Sequence, residues 1–237
     1  MSSIIFNGHD FGELTSAKVL EAGSIYVKPV VKRVPGRPGA LLLGGDAAPK
    51  RFLVRLFLNP GFEPGTLGTA DVRRRVEEWM FCPEGGELML PDDGGLRYRD
   101  VICTGAGMWS SLHADAWCDF DLTAYDPIAY GREMVETGAS FSVGGTWRTA
   151  PVIEIGTAAC EAVAVACGDT AVQIAGPFEA GQAVIIDCGA ETVTVDGEAA
   201  DSSVALASDF FRLEPGDCTL EFTGAITHTV RYMERWL

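Results

Sequence analysis

Residues 151–234 contain a series of short runs that alternate apolar and polar side chains, each bounded by turn formers. They are PVIEIG (151–156), EAVAVACGD (161–169), AVQIAG (171–176), QAVIIDCG (182–189), ETVTVDG (191–197), CTLEFTG (218–224) and HTVRYME (228–234). A period of two puts successive side chains on opposite faces, which suits a strand with one buried face and no helix. Turn signals roughly every ten residues predict an antiparallel sandwich or jelly roll. The polar stretch GREMVETGASFSVGGT (131–146) precedes these runs, and the domain boundary is placed there, giving 1–137 and 138–237.

The first part reads differently. IIFNG (4–8), SIYVKPVVKRV (24–34) and RFLVRLFLNPG (51–61) have the β-branched and aromatic content of strands. In the last of these, Phe52, Val54, Leu56 and Leu58 fall on one face. One helix is expected, TADVRRRVEEWM (69–80), with Thr69 as N-cap and Val72, Val76, Trp79 and Met80 as its apolar face. Its triple arginine, 73–75, points in three directions. Pairing of Arg73 with Glu77 and of Arg74 with Glu78 predicts a solvated face rather than a phosphate site. ELMLPDDGGLRYRDVICTG (87–105) reads as strand, turn, strand, with Asp92 and Asp93 in the bend. SLHADAWCDFDLTAYDP (111–127) alternates, with Ala114, Ala116, Cys118, Phe120 and Leu122 on one side. The fold class is therefore mainly β: an N-terminal β-sandwich or split-barrel-like domain with one helix, then a C-terminal antiparallel sandwich or jelly roll.

Charge narrows the partners. The chain carries −15 overall, and residues 138–237 hold 4 arginines and no lysine against 14 acidic groups. Such a surface repels nucleic acid. No run approaches the roughly 18 apolar residues of a spanning helix, and MSSIIFNGHDFGEL lacks the pattern of a secretory leader, so no membrane role is expected. The seven cysteines, 82, 103, 118, 160, 167, 188 and 218, form no C-x-x-C pair and read as free thiols packed as small hydrophobes, not as zinc ligands.

Candidate chemistry is sparse. Asp115, Asp119 and Asp121 beside Trp117 are the nearest approach to a glycosidase pair or a calcium site, with a solvent-facing strand side as the plainer reading. His9, His113 and His228 are far apart in sequence, and no G-x-S-x-G elbow accompanies them. His228 is expected at a surface or hydrogen-bond-satisfied strand position. GAG (105–107) lacks a third glycine, and RVPGRPGA (33–40) lacks a P-loop ending. Proline fixes φ and glycine supplies positive φ, so the latter reads as a shaped turn with Arg33 and Arg37 exposed. No catalytic, metal or cofactor-binding residue is assigned. A carbohydrate-binding sandwich stays open as an alternative, with Trp109, Trp117 or Trp147 as its stacking platform.

The residues of that turn carry a resemblance. V-P-G-R-P-G between two strands, with KRFLVRLFL after it, resembles the strand–GR-x-G–strand signature of the siphophage distal tail proteins. A helix ending near Trp79, LMLPDDGGLRYRDVICTG and the Asp126-Pro127 of AYDPIAYG follow in that family's order. In the second half GGTWRTAPVIEIGTA, QAVIIDCGAETVTVDG, FFRLEPGDCTLEFTG and RYMERWL are similar to its C-terminal domain. Cys218 stands where the family often has asparagine, and 59–70 is a longer lead into the helix. The resemblance implies a structural virion protein of the phage tail tip, made in the host cytoplasm, without enzymatic activity or cofactor. It further implies a homo-hexameric ring stacked between the tail tube protein and the tail-associated fibre or lysin protein. Receptor-binding proteins would attach to the outward second domain, a galectin-like sandwich.

Overall fold

The computed structural model of the chain describes residues 3–58, 69–91, 93–110 and 116–237. It divides into two compact units, Met1–Ala129 with Leu237, and Tyr130–Trp236.

The first unit contains β1 (Ile5–Phe6), β2 (His9–Asp10), β3 (Thr15–Ala22), β4 (Val27–Lys32), β5 (Leu41–Ala47), β6 (Lys50–Leu58), α1 (Thr69–Met80), β7 (Gly86–Met89), β8 (Arg97–Ala106) and β9 (Trp117–Ala124). One sheet runs β2-β1-β7-β8-β9-β6-β3, while β4 and β5 form a separate ribbon. β6 shows how the sequence dictates this. Phe52, Val54 and Leu56 are at most 1% exposed on one face, while Leu53, Arg55 and Phe57 stay half-buried on the other. Each such buried side chain stabilises the unit by about 1.5–3 kcal/mol relative to exposure.

The helix spans the residues its periodicity predicts, and Val72, Val76 and Met80 are buried. Trp79 packs edge-on against Phe11 at 5.3 Å and stacks on His9 at 4.8 Å. The expected i,i+4 ion pairs give way to i,i+3 ones, Arg74 with Asp71 at 3.2 Å and Arg75 with Glu78 at 3.6 Å. Trp109 takes up the partners of the first expected pair: its Nε1 donates to Glu77 Oε1 at 3.2 Å and its ring lies 5.4 Å from the Arg73 guanidinium. Thr69's side chain and the lead 59–68 lie outside the described residues.

The second unit contains β10 (Ala129–Glu136, its first residue in the unit before), β11 (Ser140–Val143), β12 (Val152–Thr157), β13 (Cys160–Cys167), β14 (Thr170–Phe178), β15 (Ala183–Asp187), β16 (Thr192–Val195), β17 (Glu198–Ala199), β18 (Gly216–Thr223) and β19 (Ala225–Trp236). They form two sheets, β17-β16-β15-β12-β19-β10 and β11-β18-β13-β14. Between them Ile153, Ile155, Val165, Ile174, Ile186 and Val230 are fully buried in one core. The unit is an antiparallel β-sandwich. The stretch 131–146, polar in sequence, supplies β11 and most of β10, so in the structure the unit begins at Tyr130, ahead of it.

Local chemistry fixes the turns and protects an edge. Asp196 and Gly197, both at positive φ (49° and 86°), join β16 to β17 in the two-residue turn that Asp-Gly favours. The outer strand β14 does not expose its carbonyls freely. Ala205 N donates to Gln173 O and Asp209 N to Ala171 O, both at 2.9 Å. A covered edge does not template pairing with another chain.

Candidate functional site: an exposed ribbon in the first unit

β4 is exposed along its whole length, and β5 is exposed apart from half-buried Leu41. The antiparallel register sets Val27 opposite Ala47, Pro29 opposite Gly45 and Val31 opposite Leu42. Directly opposed residues share a face, so one side of the ribbon is wholly apolar. Lys28 faces Asp46 on the other side, with Lys32 opposite Leu41. Val27 and Leu42 are 66% and 68% exposed. Gly45 lies so close beneath Val27 that any Cβ there would strike Val27 Cγ1. At its base the ribbon is tied to the unit by Gly23 N donating to Arg51 O at 2.7 Å.

The tip is the RVPGRPGA turn. Gly36 and Gly39 take positive φ (78° and 80°), and Arg37 N donates to Val34 O at 3.2 Å. Arg33, Val34, Pro35, Arg37, Gly39 and Ala40 line an open hollow of about 600 Å³. Both arginines are exposed, as the sequence predicts. Residues 24–47 carry Lys28, Lys32, Arg33 and Arg37 against Asp46 alone, a local +3. The rest of the chain then carries −18 (−15 less +3).

Of the carboxylate cluster, the described members Asp119 and Asp121 are both paired with arginines. Asp115 and His113 lie outside the described residues. Arg55 grips Asp119 with two parallel bonds, Nε to Oδ1 at 2.6 Å and Nη2 to Oδ2 at 2.8 Å. These bonds hold the Asp119 carboxyl below the usual carboxylate range; burial opposes them and the Arg55 charge adds to them. A general acid must keep its proton near neutral pH, which this group does not. Asp121 pairs with Arg51 at 3.5 Å. Among the described residues no group of three or more His, Cys, Asp or Glu suits a metal ion.

The three candidate tryptophans each have a cation near the ring. Arg55 sits 3.7 Å from the Trp117 ring, Arg73 5.4 Å from Trp109 and Arg148 5.8 Å from Trp147. His228 departs from its expected place. It stacks on Phe222 at 4.0 Å, and its Nε2 is buried without a hydrogen-bond partner among the described residues. The inward register opposite Ile155 puts it there. Cys118, Cys188 and Cys218 are buried, and the other four cysteines are half-buried. Burial pushes the Cys118 and Cys218 thiols up to about 11 and Cys188 up to about 12, so they behave as packed apolar groups. No described helix is long and apolar enough to cross a membrane.

The geometry is that of a β-rich chain with an exposed two-stranded ribbon. Residues 144–236 match the family model of the siphovirus-type tail component, C-terminal domain. No curated protein matches the chain. Among solved structures, the Dit (gp 19.1) protein of phage SPP1, described as a paradigm of hub adsorption apparatus in Gram-positive infecting phages, aligns over 100% of both chains. Its TM-score is 0.75 at 18% identity. A chain of the phage P2 baseplate, in its activated conformation with Ca, aligns over 92% of this chain and 90% of its own, with TM-score 0.46 and 8% identity. The second unit of this chain is thus similar to the C-terminal domain of the siphovirus-type tail component. Over its whole length the chain has the fold of that Dit protein, whose family its sequence motifs resemble.

Proposed function

We propose that this protein is the distal tail protein of a long-tailed phage or prophage, closing into a homo-hexameric ring at the tail tip. The ring-forming part is residues 1–137. It stacks between the tail tube protein and the tail-associated fibre or lysin protein. Residues 138–237 project as the scaffold to which receptor-binding proteins attach.

The observation that carries this reading is the β4–β5 ribbon. A lone two-stranded ribbon is marginal in water, and this one leaves Val27, Pro29, Val31 and Leu42 uncovered by the described residues of its own chain. Its +3 charge, set against −18 elsewhere, favours a second copy as the cover. A patch on one copy that fits a different surface on the next makes a head-to-tail contact. Such contacts close into a ring when the rotation fits.

Light scattering across a concentration series tests it. Six copies of 25.3 kDa give about 152 kDa, and this species is expected to disappear in the double variant Val31→Asp, Leu42→Asp. A monomer at every concentration, alone and with tail tube protein added, would remove the ring from the reading.

A further inference from the structure

The sandwich unit holds Cys160, Cys167, Cys188 and Cys218, all free thiols. β13 and β18 run antiparallel, with Cys167 opposite Leu220. Strand side chains alternate, so Cys218, two residues before Leu220, faces the core on the same side as Cys167, one diagonal step away. The neighbouring Cys167 thiol adds to the rise that burial causes in the Cys218 thiol. Cys218 is buried, and Cys167 is half-buried at the end of its strand.

We propose that Cys167 and Cys218 close a disulfide across β13 and β18 when the folded protein meets a small-molecule disulfide. A diagonal pair has a Cα separation of about 7–8 Å, beyond the roughly 4.4–6.8 Å that a disulfide spans, so closure needs the backbone to move by about 1 Å. Both ends can supply it. Cys167 precedes Gly168 (φ 59°), and Cys218 lies two residues after Gly216 (φ 109°), and nothing lies within 4 Å of either glycine's Cβ position. Cys188, in the same core, is the competing thiol. Its Sγ is already engaged, accepting from the Phe211 backbone N–H.

The chemistry balances with oxidised glutathione as oxidant. Cys167 loses its proton and attacks one glutathione sulfur, forming a mixed disulfide and releasing one glutathione as thiolate. Cys218 then loses its proton, attacks the Cys167 sulfur and expels the second glutathione. Two protein thiols are oxidised to one disulfide, and one glutathione disulfide is reduced to two thiols. On the tail-component reading, the reducing host cytoplasm keeps the pair open and the medium outside the cell closes it.

The test uses the full native chain, incubated with oxidised glutathione at about pH 8.5, where thiolate is more available. The protein is then quenched, denatured, alkylated and digested with trypsin. Five of the seven cysteines are expected to take up the alkylating agent, with a cross-linked product joining peptide 149–212 to peptide 213–231. The first peptide also holds Cys160 and Cys188. The cross-link is therefore expected to vanish in Cys167→Ser and persist in Cys160→Ser and Cys188→Ser. Fragmentation of the wild-type product locates the bond without any variant. Absence of the cross-linked product, or its survival in Cys167→Ser, overturns the proposal.

Discussion

Two antiparallel hairpins in this molecule are built from similar residues and meet opposite fates. In β13–β14, Val163, Val165, Val172 and Ile174 form an apolar face with no exposed surface, because a second sheet covers it. In β4–β5, Val27, Pro29, Val31 and Leu42 form an equally apolar face, and no described part of the chain covers it. β-branched residues make both into strands, but strand propensity does not decide what lies on top. The first hairpin holds its own unit together. The second contributes little to a single copy and becomes valuable only when another surface buries it.

A charge placed in each face separates the two roles most sharply. Val165→Asp puts a carboxylate between two sheets where nothing pairs with it, and is expected to cost the second unit about 3–5 kcal/mol or unfold it. Val31→Asp sits in water in the single chain and is expected to change urea stability by no more than about 0.5 kcal/mol while abolishing the higher-mass species. Equal stability losses in the two variants would mean that the ribbon is packed within one copy, and the contrast would fail.

A smaller effect is expected at the ribbon's tip. Removing both charges in Arg33→Ala, Arg37→Ala takes the ribbon from +3 to +1 without touching its apolar face. Association should weaken roughly tenfold at low salt, and the gap from wild type should narrow as salt screens the remaining charge. Sedimentation velocity at two ionic strengths reads both. A loss that is the same at high salt would point to the shape of the turn instead of its charge.

The same contrast explains what the sequence could reveal. Strict alternation exposed β6, β9 and most of the sandwich strands, and a helical period exposed α1, because burial on one face leaves that trace. β3 (TSAKVLEA) left none, since a register shift between Val19 and Glu21 adds a residue and breaks the period of two. β10 was hidden because Ala129–Glu136 buries only Ala129 fully. The turn residues of RVPGRPGA were legible as a turn, but the bare face behind it was not. Val27, Val31 and Leu42 look like any buried strand until the rest of the fold is seen to lie elsewhere. The quenching of Asp119 was equally invisible, because Arg55 is 64 residues away in sequence and is brought opposite only by the β6–β9 register.

That pair gives the smallest effect and a test by pH. Asp119 is held ionised by Arg55, so its carboxyl titrates below the ordinary value of about 3.9. A carboxyl depressed by folding adds stability above its unfolded value and loses that stability as pH falls through the folded one. Asp119→Asn keeps the shape but removes the charge, so the variant should be the less stable at pH 7. The difference is expected to be on the order of a few tenths of a molar in urea midpoint, because the pair is partly exposed. It should shrink below about pH 4 and disappear once wild-type Asp119 is itself protonated. A gap as large at pH 2 as at pH 7 would show that the variant is weakened by its altered hydrogen bonds alone. Arg55 would then be held in place by the Trp117 ring, 3.7 Å away, rather than by the carboxylate.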